Sequence, residues 1–204
     1  MDRIKELYHI LELIKKHDLP LSPILEYAIK ERERQYSESA NTIETDVPME
    51  MSDVKQDKDL SDYAGDFASL SVAISKGKKL PHKAILLLGV MQLIEDGELE
   101  GNMIPLDKSV ADAFVKSWDK YFDTKAPSVW TPFYHLKGES FWHFKARDSD
   151  ETLDMLLGFG GTPSIGKMRP VIRCAYFDDE LFGLMNNVSS REVLRRVLIE
   201  NYLQ

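Results

Sequence analysis

The chain has 204 residues, 43% of them hydrophobic and 10% aromatic, enough for one domain with a sizeable core plus a small appendage. No apolar run approaches the ~18 residues of a membrane span, and the start, MDRIKELYHILELIKKHD, is charged throughout rather than built as a cleavable leader, so the expected location is the cytoplasm. A single cysteine, Cys174, excludes an internal disulfide and a multi-cysteine zinc cluster within one copy, and a formal charge of -8 argues against a uniformly basic polyanion binder.

Ile4, Leu7, Leu11 and Ile14 recur at helical spacing. A second helix should follow, with Ser22 as its cap and Pro23 in its first turn, so residues 1–38 read as a helical hairpin. Residues 39–59 are polar and acidic and read as a linker. From Ala40 to Asp66 eight acidic residues face only Lys55 and Lys58, and this stretch supplies -6 of the total charge. The rest of the chain is close to neutral and holds three local basic clusters: Lys76, Lys78, Lys79 and Lys83; Lys167, Arg169 and Arg173; and Arg191, Arg195 and Arg196. Partners must therefore be inferred region by region.

The main domain should span 60–204. Tyr63, Phe67, Leu70 and Ile74 lie on one helical face, with Gly77 as a stop. After Pro81 the run HKAILLLGVMQLIEDG is apolar nearly all round, which predicts a buried central helix ending at Gly97. Asp107 should cap a helix striped by Val110, Ala113, Phe114, Trp118, Tyr121 and Phe122. In PFYHLKGESFWHFKA, aromatic arms around Lys137-Gly138-Glu139 predict a β-hairpin. Gly158, Gly160, Gly161 and Pro163 mark a loop, 171–176 a strand, and 179–185 a short helix. Ser189 with Glu192 forms a capping-box pattern before the last helix. The expected fold is α+β and mainly helical: a helical core around a buried central helix, a small antiparallel sheet or hairpin, and the N-terminal helical hairpin ahead of them.

Catalytic and metal patterns are scarce. The five histidines form no HExxH, and no GxSxG occurs. Gly161, Gly166 and Lys167 have phosphate-loop spacing, but Met168 stands where a magnesium-binding hydroxyl is needed. His135 and His143 flank the predicted hairpin turn without a carboxylate pair to complete a metal shell. No cofactor and no metal are expected. The first turn of the Pro81 helix is different, because unpaired backbone N–H groups beside Lys79, His82 and Lys83 can hold a phosphate oxygen. The alternative there is a solvated lysine patch ahead of a core helix.

PHKAILLLGVMQLIEDGEL, TPFYHLKGESFWHF and FDDELFGLMNNVSSREVLRRVLIENYL, in this order and spacing, resemble the N-terminal non-catalytic domain of bacterial HNH-type restriction endonucleases, a group that includes the sulfur-binding domains recognising phosphorothioate DNA. The resemblance covers roughly 60–203. It implies a cytoplasmic defence protein that reads DNA, with His82 and Lys83 on a phosphate and Pro132 in a cavity for the weakly hydrated sulfur. Pro81, Trp130, Thr131 and His135 would line that pocket, and Lys76, Lys78, Lys79, Arg169 and Arg173 would extend the cationic footprint. Thr131 stands where the sulfur binders carry a tyrosine, and the family's nuclease would begin where this chain stops at Gln204. The expectation is therefore a non-enzymatic DNA reader, with a nuclease partner encoded separately. The alternative is a protein-interaction or regulatory subunit that forms a homo-oligomer through its N-terminal helices.

Overall fold

The computed structural model describes residues 58–75, 77–99, 101–158 and 160–203. The expected hairpin over 1–38, nearly all of the linker over 39–59, and Lys76 lie outside the described residues. The architecture is α+β and mainly helical, with a two-stranded and a three-stranded antiparallel sheet beside a buried central helix.

Helix α1 (Leu60–Ala68) begins at a capping box: the Asp59 carboxylate accepts from the Ser61 and Asp62 N–H groups, while the Asp62 carboxylate accepts from the Asp59 N–H. Tyr63, Phe67 and Leu70 are buried as expected, but the helix stops short of Ile74. The Tyr202 hydroxyl takes over the chain at that point, accepting from the Leu70 N–H at 2.7 Å and donating to the Ala68 carbonyl at 3.0 Å. Ile74 falls instead in strand β1 (Ile74–Ser75), 72% exposed, and pairs with β2 (Lys78–Lys79). Gly77 is the turn of this hairpin rather than a helix stop, with the positive φ of 77° that a glycine adopts without strain.

Helix α2 (His82–Glu95) is the centre of the core, buried at every position from Lys83 to Ile94 except Gln92. It packs against α3 (Lys108–Asp119), α4 (Trp130–His135), α7 (Asp179–Asn186) and α8 (Val188–Tyr202). Gly89 sets the closest approach: a Cβ there would lie 3.1 Å from the Ala113 carbonyl carbon. Asp107 caps α3 by accepting from the Ser109 N–H at 2.9 Å.

The expected hairpin over 132–146 is half right. Its first arm is α4 followed by a 3-10 turn over Leu136–Gly138, and only β4 (Trp142–Ala146) is a strand. Pro132 sits in the first turn of α4, where its missing N–H has no intrahelical partner to lose, and the helical turn puts Phe133, Tyr134 and Leu136 into the core together. β4 pairs instead with β5 (Ile172–Phe177), whose other edge takes β3 (Ile104–Pro105), giving the order β3-β5-β4. Two helices over this stretch were not expected: α5 (Asp150–Leu157), capped by Ser149, and the single turn α6 (Ile165–Met168). The last helix, α8, starts earlier than the Ser189 pattern implies, because the Asn187 side chain takes the capping role and accepts from the Ser190 N–H at 3.1 Å.

Candidate nucleic-acid interface

The start of α2 does not form an open anion pocket. Successive residues on a helix point about 100° apart, and here they part company. His82 turns toward α3 and lies against the Trp118 ring at 5.5 Å, where burial lowers its pKa and favours the neutral imidazole. Lys83 turns inward and pairs with Glu139 at 2.5 Å, each side chain only 9% exposed. The same Glu139 oxygen accepts from the Ser71 N–H at 3.1 Å, so the pair ties α2, the segment after α1 and the 3-10 turn together. The expected phosphate contact from Lys83 is therefore replaced by a structural ion pair, because its charge is already neutralised inside the protein.

Of the residues expected to line the pocket, Pro81 is half-buried, Pro132 is buried, and Trp130 meets Phe133 edge-on at 6.3 Å. Thr131 and His135 are exposed, and the His135 Nε2 lies 2.7 Å from the Thr162 hydroxyl. Partial desolvation, and after it the charges of Lys83 and Lys137, lower the pKa of His135. Lys78 and Lys79 are exposed on β2, with the Lys79 ammonium 4.8 Å from the centre of the Tyr202 ring. Two members of the C-terminal basic cluster, Arg191 and Arg195, are paired internally, while Arg196 is exposed. Glu95 receives Arg195 at 2.7 Å and Arg191 at 3.6 Å, and its carboxyl pKa is lowered chiefly by the hydrogen bond from Arg195.

Cationic groups converge elsewhere, beside the β4–β5 pair. The register sets Lys145 opposite Cys174, next to Arg173. Just past β4, the Arg147 N–H donates to the Val171 carbonyl at 2.7 Å, and its Nε donates to the Arg169 carbonyl at 3.2 Å. Lys145, Arg147, Arg169 and Arg173 are all exposed, and none of the four forms an ion pair with a carboxylate among the described residues. The Cys174 thiol is pushed up by burial, and Lys145 and Arg173 pull it back, so both charges act at one point. The nearest acid in sequence, Asp148, is exposed directly after Arg147, and the next two, Asp150 and Glu151, occupy the first turn of α5, where the helix N–H groups offset their charge. Arg169 and Arg173 were expected in a DNA footprint. Lys145 and Arg147 were missed, because only the strand register brings them to the other two.

An open hollow of about 290 Å³ adjoins this cluster, lined by Thr152, Met155, Leu156, Pro163, Lys167 and Val171. Its walls are mostly apolar, and Met155 is 74% exposed. A larger hollow of about 740 Å³ between α2 and α3 is rimmed by four carboxylates, Asp96, Glu98, Asp112 and Asp119, and two ammonium groups, Lys116 and Lys120, a net negative set that disfavours phosphate. Further along the outer face of the sheet, His143 pairs with Tyr176 across β4 and β5, their rings 5.2 Å apart. The His143 Nε2 lies 2.7 Å from one Asp178 oxygen, and the Tyr63 hydroxyl donates to the other at 2.9 Å.

Among the described residues no group of three His, Cys, Asp or Glu side chains is placed to hold a metal ion, and no helix is long and apolar enough to cross a membrane. No family model matches the chain, and no curated protein matches it.

Proposed function

We propose that the chain is a non-catalytic DNA-binding module of a restriction-type defence system, and that it grips the phosphate backbone with Lys145, Arg147, Arg169 and Arg173 rather than at the start of α2. The observation that carries this reading is the convergence of four exposed cations without carboxylate partners among the described residues, in a chain whose overall charge is negative. Exposed like charges repel one another, and a polyanion relieves that repulsion while releasing its own counterions. Guanidinium groups suit the role, since their planar forks match phosphate oxygens in pairs. The three-motif resemblance to restriction-enzyme recognition domains supports DNA over other polyanions and supports a nuclease acting as a separate partner. The apolar hollow beside the cations favours a backbone modification that is weakly hydrated, such as phosphorothioate, over an additional charged group.

The test is fluorescence anisotropy with a short duplex, unmodified and phosphorothioate-bearing, at several salt concentrations. Arg147→Gln combined with Arg173→Gln should weaken duplex binding on the order of tenfold, while Lys83→Met, if folded, should leave it unchanged. Equal binding by the double variant and the wild type would remove the proposed surface. A strong dependence on Lys83 would return the phosphate to the start of α2.

A further inference from the structure

We infer that the ligand of the sheet face offers an unpaired base as well as a phosphate, and that Tyr176 and His143 form the platform on which this base stacks. The inference rests on the proposed function and deepens it.

Side chains two apart on a strand share a face, so His143 and Lys145 project together from β4, and the register adds Tyr176 and Cys174 from β5. Tyr176 is 36% exposed and the His143 side chain 38%, with no other ring stacked on them among the described residues. A large aromatic left open on a sheet face has an unused π surface, and every nucleobase presents one. The pair is also preorganised. The Asp178 carboxylate holds the imidazole, Asp178 is itself held by the Tyr63 hydroxyl, and the Tyr176 ring rests against the imidazole at an interplanar angle of 38°. A base landing there meets a surface whose orientation is already fixed, so little side-chain freedom is lost on binding.

The charge pattern along the face gives the occupant its direction. Lys145, Arg147 and Arg169 lie toward one end of the β4–β5 pair, with Arg173 beside Cys174 on β5 and with Asp148, Asp150 and Glu151 following Arg147, while Asp178, Asp179 and Glu180 follow Phe177 at the other end. A nucleotide has the same polarity, an anionic phosphate at one side and an uncharged ring at the other. The match requires the phosphate over the arginines and the base over Tyr176. An intact duplex cannot make it, because its bases are already stacked inside the helix, whereas a single strand or an extruded nucleotide can.

The experiment uses the full chain and three probes of equal length: an oligothymidylate of roughly 20 nucleotides, an all-abasic oligonucleotide with the same number of phosphates, and a duplex. The oligothymidylate should bind more tightly than the abasic strand. Tyr176→Ala should erase that difference, a loss of about five- to a hundredfold, without changing abasic binding, and Tyr176→Phe should restore it. Circular dichroism confirms that each variant is folded. If the oligothymidylate and the abasic strand bind equally and both weaken with salt, the stacking platform is overturned while backbone binding stands. If no oligonucleotide binds even at low salt, both proposals fall and the face belongs to another class of partner.

Discussion

Glu139→Gln separates a structural Lys83 from a phosphate-binding one. The substitution keeps the size of the side chain and an oxygen that can still accept from the Ser71 N–H, yet it removes the countercharge of an ammonium 2.5 Å away. Both side chains are only 9% exposed, so water cannot replace the lost carboxylate. Breaking a buried pair by removing one partner costs about 3–5 kcal/mol, and for a domain of this size each kcal/mol lowers Tm by about 2–4 °C. A drop of about 6–20 °C is expected, with a lower urea midpoint and an unchanged m-value. Replacing both partners by apolar side chains, Lys83→Met with Glu139→Leu, should recover most of the loss, because neither charge then has to be desolvated. Urea denaturation followed by far-UV circular dichroism measures the wild type and both variants. A Glu139→Gln protein within about 1 kcal/mol of wild type would refute the reasoning, since it would mean that water reaches the ammonium and leaves Lys83 open to a phosphate.

Gly89→Ala should destabilise by about 1–3 kcal/mol, because the new Cβ would press on the backbone of α3 rather than on a movable side chain, and a thermal melt would show it. His82 and His135 are both shifted down, His82 by burial and His135 by burial together with Lys83 and Lys137. The unfolded chain then binds protons more readily than the folded one, so these residues contribute stability above about pH 6.5 that is lost as pH falls toward their folded-state values. Tm should drop between about pH 7.5 and about pH 5.5, and His82→Gln with His135→Gln should shrink that drop; an identical pH dependence would count against the assignment. Cys174 is buried and its thiol is pushed up, so it should resist a disulfide reagent in the native protein and react fully in denaturant, whereas rapid native labelling would contradict its placement.

The parts of the fold most legible in the sequence are those whose signal is local. The run from His82 to Glu95 is apolar nearly all round, as a buried helix requires, and Asp107 stands directly before the helix it caps. The segment around Phe133 was misread because crowded aromatic residues fit either a half-buried strand or a short helix facing the core, and it is packing against α2 that selects the helix. Helix α5 left a usable trace in the Ser149 cap ahead of Leu153, which the glycines that follow it obscured. Lys83 looked like a surface cation because its neutralising partner, Glu139, is 56 residues away. Lys145 and Arg147 form no basic run of their own; they join Arg169 and Arg173 only through antiparallel pairing. The candidate site is thus a product of register, which charge clustering along the chain does not report.

The most direct test of the account is the salt dependence of duplex binding by the wild type and by a variant in which Lys145, Arg147, Arg169 and Arg173 are all changed to Gln. Each phosphate neutralised adds about 0.9 to the slope of log Kobs against log salt concentration, so full engagement of the four should make the wild-type slope steeper by about 3–4 than that of the variant. Identical slopes would show that these cations do not meet DNA.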